Sequence, residues 1–95
     1  MINIQITDRE IRMNGHAGRK CPDGIDRACA AVSALTCSLA NSLQDLTKDA
    51  IHTEMKSGLM VIQWENLSDG GKLLVDSWFL GITEVNKEYS CIQFQ

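Results

Sequence analysis

The stretch Gly15-His16-Ala17-Gly18, followed by Asp26-Arg27-Ala28-Cys29-Ala30-Ala31-Val32-Ser33-Ala34-Leu35, decides how this chain is read. It places a histidine among glycines and then a cysteine at the head of a small-residue helix. After Asp26 the apolar residues fall at helical spacing, with Ala28, Val32, Leu35, Leu39, Leu43 and Leu46 on one stripe. Asp26 suits the N-cap, because its carboxylate can accept from the unpaired backbone N–H groups of the first turn. Cys29 then sits inside that turn, where those N–H groups and the positive end of the helix dipole favour a thiolate. A cysteine so placed, with a histidine at the preceding strand end, has the parts of a thiol nucleophile and its base.

Working outward toward the N-terminus, Ile2, Ile4 and Ile6 alternate with Asn3 and Gln5, the pattern of a half-buried strand. Thr7-Asp8-Arg9-Glu10 reads as a turn, and Ile11 to Asn14 resumes a strand that delivers His16 at its far end. Beyond the helix, which should end between Leu46 and Lys48, Ala50–Met55 and Gly58–Glu65 read as a hairpin turning at Lys56-Ser57-Gly58. Ser68-Asp69 offers a second N-cap, for a helix running to about Asn86 with Leu74, Trp78, Ile82 and Val85 on one face. Leu73, Val75 and Phe79 lie alongside that face. Gly81 interrupts this helix, marking a close approach of another element. Cys91–Phe94 closes the chain as a short edge strand.

The order ββαββαβ predicts an α+β two-layer sandwich, a mostly antiparallel sheet with two helices on one face. Its 95 residues allow one domain, spanning 1–95. A hydrophobic fraction of 44% with a single proline marks an ordered globule. The net charge of −3 argues against a nucleic-acid groove, whose affinity comes largely from neutralised phosphates. It suits a basic polypeptide partner instead. No run approaches a membrane span and the first residues lack a signal peptide's pattern, so the expectation is a cytoplasmic protein with no membrane partner. In that compartment the four cysteines read as free thiols. Trp64, Trp78 and Phe79 exceed what one sheet face should cover, which points to an interface.

Each candidate residue carries a second reading. Cys29 is either a nucleophile or a small buried hydrophobe. His16 is a general base only if it reaches the thiol; otherwise it is a turn residue bonded to backbone. Asp26 caps the helix or orients His16. Ser33, one turn after Cys29, packs or lines the site with a hydroxyl. As metal ligands His16, Cys21, Cys29 and Cys37 have four, seven and seven residues between them, matching no paired zinc-ligand spacing. No metal or other cofactor is therefore expected. His52 falls on an alternating strand and is expected to be solvated, and Cys37 and Cys91 to be structural.

The GHAG turn, the Asp-capped CAAVSAL helix, the LLVDSWFLGITEV run (Leu73–Val85) and the Tyr89–Phe94 close together resemble the bacterial ribosomal-processing cysteine proteases known as Prp. That resemblance implies a His16–Cys29 dyad with Asp26 and Ser33 in support, and a homodimer. It implies cleavage of an N-terminal extension from a large-subunit ribosomal protein, number twenty-seven, after an aromatic residue. Gly15, Ala17, Gly18 and Gly24 would then belong to the loop that meets the substrate. Cys21 and Pro22 in that loop, and Arg27-Ala28 at the helix start, depart from the family's pattern. Cys21 lies eight residues before Cys29, so oxidation joining the two is a possible redox switch. A non-catalytic polypeptide-binding or ribosome-assembly module of the same fold is the alternative, separable by the reactivity of the Cys29 thiol.

Overall fold

The computed structural model describes residues 1–16 and 26–95. Along the chain run β1 (Ile2–Ile6), β2 (Glu10–Gly15), α1 (Arg27–Leu46), β3 (Ile51–Lys56), β4 (Leu59–Trp64), α2 (Asp69–Tyr89) and β5 (Ile92–Phe94). The strands form a mixed sheet in the order β3-β4-β2-β1-β5. All neighbours are antiparallel except β1 and β5, which pair in parallel because α2 carries the chain back across the sheet. The α+β architecture and the ββαββαβ order are those expected from the sequence, with β5 at the edge.

Alternation along the strands fixes which face is covered. Ile4 stands opposite Met13 and Ile11 opposite Ile62, and these side chains join Ile2, Trp64 and Ile92 in the core. Asn3, Gln5, Arg12 and Gln63 occupy the intervening positions and face the open side. The helices close the covered face with Ala28, Val32, Leu39 and Leu43 from α1, and Trp78 and Ile82 from α2. Gly81 meets α1 closely: a Cβ there would lie 3.3 Å from Leu35 Cδ1, so the bare glycine in α2 faces the Leu35 side chain across the helix–helix contact.

The α1 stripe differs from the sequence pattern at both ends of its polarity. Thr36 and Ala40 are buried, while Leu46 ends the helix 75% exposed. Thr36 tolerates the core because its hydroxyl donates to Val32 O (2.7 Å) and accepts from Trp78 Nε1 (3.0 Å). The aromatic surplus also resolves differently. Trp64 and Trp78 are core residues, and the Trp64 indole donates to Asp8 O (2.8 Å). Pairing of each N–H is what lets two large rings enter so small a core. The exposed apolar residues of α2 and β5 are instead Leu73, Phe79, Leu80 and Phe94, with the two phenylalanine rings 5.4 Å apart. On α2, Leu73 and Phe79 thus turn outward, and the helix runs on to Tyr89 instead of stopping near Asn86. Its start is as expected: the Ser68 hydroxyl accepts from the Gly71 N–H at 3.1 Å.

Candidate active site

The sheet order places His16 directly after the central strand. Because β2 is antiparallel to both neighbours, its end lies beside the beginnings of β1 and β4. Met1 and the β3–β4 turn therefore flank the histidine. The Met1 nitrogen donates to His16 O at 2.6 Å, and Gly15 N donates to Gly58 O at 3.0 Å. Gly15 has φ +94°, and a Cβ on it would lie 2.5 Å from Met1 O. Only glycine fits there, so the chain can turn out of the sheet and carry the imidazole over its covered edge.

Across from His16, α1 presents Cys29. The Asp26 carboxylate accepts the Cys29 backbone N–H at 2.9 Å, which is the N-cap read from the sequence. The Cys29 thiol lies 4.0 Å from His16 Nδ1. Sequence reasoning left open whether the two could meet; the fold brings them together although they stand thirteen positions apart in the chain. Cys29 is half-buried and His16 exposed, so the thiol is supported from behind and approachable from the histidine's side.

Below the pair opens a pocket of about 100 Å³, whose apolar wall is Ile2, Met13, Val32, Leu59 and Met60. Ser33 sits on its lip, exposed, one helical turn after Cys29. Lys56 and Gly58 of the β3–β4 turn complete the rim beside His16. These turn residues were missed by sequence reasoning. Gly58 was recognised only as a turn glycine, since the pairing of β2 with β4 is a long-range contact that local pattern does not reveal.

The remaining candidates lie away from this pair or outside the described residues. Ala17, Gly18, Cys21 and Gly24, with the expected substrate loop and the redox partner among them, lie outside. Cys37 is half-buried on α1, Cys91 is buried, and His52 is exposed on β3. Among the described residues, no group of three or more His, Cys, Asp and Glu side chains gathers as metal ligands would. Nor is any described helix long and apolar enough to cross a membrane.

The sequence profile of the family described as cysteine protease Prp matches residues 1–92. The chain belongs to that family. Its fold agrees: the Staphylococcus aureus ribosomal processing protease Prp, solved with a covalently linked product peptide, superposes with a TM-score of 0.84 at 22% identity. That match covers 99% of this chain and 95% of the other. The same S. aureus protease with a substrate peptide gives 0.81 at 20% identity, over 99% and 95% of the two chains. SMU.848 from Streptococcus mutans also gives 0.81, at 26% identity over 100% of this chain and 92% of that one. No curated protein sequence matches the chain. Membership of the family makes the chain a cysteine protease, and the Cys29–His16 pair is where its geometry offers a thiol beside a base.

Proposed function

We propose that the chain is a cytoplasmic endopeptidase that removes the N-terminal extension of large-subunit ribosomal protein number twenty-seven, working through Cys29 and His16. The observation that carries this reading is the 4.0 Å approach of Cys29 Sγ to His16 Nδ1 at the mouth of an apolar pocket. Unliganded catalytic pairs are often long and tighten when substrate binds. The S. aureus Prp complexes with peptides support a peptide as the substrate.

In this mechanism His16 Nδ1 takes the thiol proton, and the Cys29 sulfur attacks the scissile carbonyl carbon. The resulting oxyanion is held by backbone N–H groups at the start of α1. Cys29's own N–H is bonded to Asp26, so the donors are other amides of that region. Collapse breaks the C–N bond as the imidazolium returns its proton to the leaving amine. Water, deprotonated by His16, then hydrolyses the thioester and frees the new carboxylate. An apolar side chain of the segment enters the pocket lined by Ile2, Met13, Val32 and Met60. Asp26 acts by fixing the turn that carries the thiol, with Ser33 beside it. The exposed Leu73, Phe79, Leu80 and Phe94 supply apolar surface for a homodimer.

The test is cleavage of a peptide spanning the extension. Cys29→Ala and His16→Ala should each abolish it while remaining folded by circular dichroism, and Cys29→Ala should still bind the peptide. Turnover by Cys29→Ala above a few per cent of wild type removes the dyad assignment. Light scattering at micromolar concentration should give twice the 10.5 kDa chain mass; a monomer across that range removes the dimer.

A further inference from the structure

The Nε2 side of the His16 ring, opposite the Nδ1 that approaches Cys29, lies next to the β3–β4 turn. Gly58 there has φ +75°, and a Cβ built on it would lie 3.2 Å from His16 Nε2, 3.7 Å from Cε1 and 4.0 Å from Cδ2. The ring thus lies between two elements, with Nδ1 toward the thiol and Nε2 toward the glycine. The same glycine's carbonyl accepts the Gly15 N–H at 3.0 Å, so turn and histidine are also joined through the backbone one residue before His16.

We infer that Gly58 is a positioning residue for His16: the bare Cα of the turn is the seat that sets how closely the imidazole approaches the Cys29 sulfur. This rests on His16 acting as the base. A backbone glycine here takes the place where a side chain would otherwise steer the ring from its far nitrogen. At 3.2 Å an added Cβ is too close to be absorbed without movement, and the backbone bond at Gly15 keeps the turn from retreating. The imidazole is then the part that must give, by a few tenths of an ångström and at the expense of its present place beside the thiol. A displacement of a fraction of an ångström at a general base is enough to reduce catalysis, because proton transfer depends on near-contact geometry.

Gly58 would need to be glycine for its φ alone, so the test must separate backbone strain from contact with the ring. Stability is measured by urea unfolding for wild type, Gly58→Ala, His16→Ala and the double variant, with kcat and KM of the single glycine variant on the extension peptide. Strain from φ is the same in both backgrounds, whereas the clash exists only when the imidazole is present. The expected result is a smaller loss of stability from Gly58→Ala in the His16→Ala background. It should come with a fall in kcat of three- to a hundredfold and a KM changed less than threefold. Equal stability losses in the two backgrounds, or a kcat reduced less than threefold, overturn the inference. If Gly58→Ala does not fold, folding of the double variant supports it and failure of both overturns it. Should the peptide prove not to be a substrate of the wild type, the proposed function fails, while the stability cycle still decides whether Gly58 seats the ring.

Discussion

Asp26 Oδ1 accepts the backbone N–H of Cys29 at 2.9 Å, so the residue that starts α1 also fixes the peptide unit that carries the thiol. Cap and site are one local structure. Removing the cap loosens the turn that aims Cys29, and its cost in activity should exceed its cost in stability.

Asp26→Ala is therefore expected to lose about 0.5–2 kcal/mol in urea unfolding, the usual range for an N-cap, and to lower kcat by more than that loss explains. Asp26→Asn keeps an oxygen for the Cys29 amide and should retain most of both. If Asn is as inactive as Ala although it restores stability, the carboxylate's charge matters to the site, and its role extends beyond the cap.

Thr36 and Trp78 form a second test, in the core behind the pocket. The Trp78 indole N–H is satisfied by Thr36 Oγ1 at 3.0 Å, in a buried setting. Thr36→Val preserves shape and strands that donor, which should cost about 1–3 kcal/mol. Adding Trp78→Phe removes the orphaned N–H, so the double variant should lose less stability than the two single changes add up to. Simple additivity in denaturant titrations would contradict this account of how the threonine enters the core.

Acid stability follows from Glu10. Its carboxyl is held below the ordinary 4.5, first by the hydrogen bond from Gln63 Nε2 (2.8 Å) and then by that from Arg12 (3.2 Å), against a smaller opposing effect of burial. A carboxylate with a depressed folded-state value stabilises fully above its unfolded value and ceases to do so as pH falls through the folded one. The stability difference between wild type and Glu10→Gln should thus be constant from pH 7 to about 5, shrink below about 4.5, and vanish in stronger acid. A difference that persists unchanged to low pH would show that packing, and not charge, is what Glu10 contributes.

At the far end of the sheet, α2 is pinned by Asp49, which accepts from Ser68 N (3.0 Å) and Ser68 Oγ (2.8 Å). A Cβ on Gly71 would press into the Asp49 carboxylate and approach Leu67 Cδ2 to 3.2 Å. Gly71→Ala should therefore destabilise, although alanine is the better helix former by about 1 kcal/mol. A rise in melting temperature would contradict the packing described for this corner. Peptide cleavage should be unaffected in the variant at temperatures where it is folded, because none of these groups lines the His16–Cys29 pocket.

Much of this protein is legible in local pattern. Period-two alternation of Ile2, Ile4 and Ile6 gave β1, and helical spacing after an Asp gave α1 with its cap, because both signals are set by neighbours within a few residues. Placement marked His16 and Cys29, one among glycines at a strand end and the other in the first turn of a capped helix, and the resemblance paired them. Three things were decided only by the tertiary structure. The helical stripe did not say that Thr36 would be buried, since that depended on a partner donor, Trp78, from the other helix. Nor did composition say that Trp64 and Trp78 would sink into the core and leave Leu73, Phe79 and Leu80 outside, because burial is settled by which face of β4 the helices cover and which face of α2 meets α1. Finally, Gly58 lies beside His16 because β2 pairs with β4, and Cys29 reaches the same ring because α1 packs on the covered face of that sheet. Strand order is a long-range pairing, carried by backbone hydrogen bonds common to every residue. The sequence could supply a histidine and a thiol, and only the packing of α1 against the assembled sheet could set the distance between them.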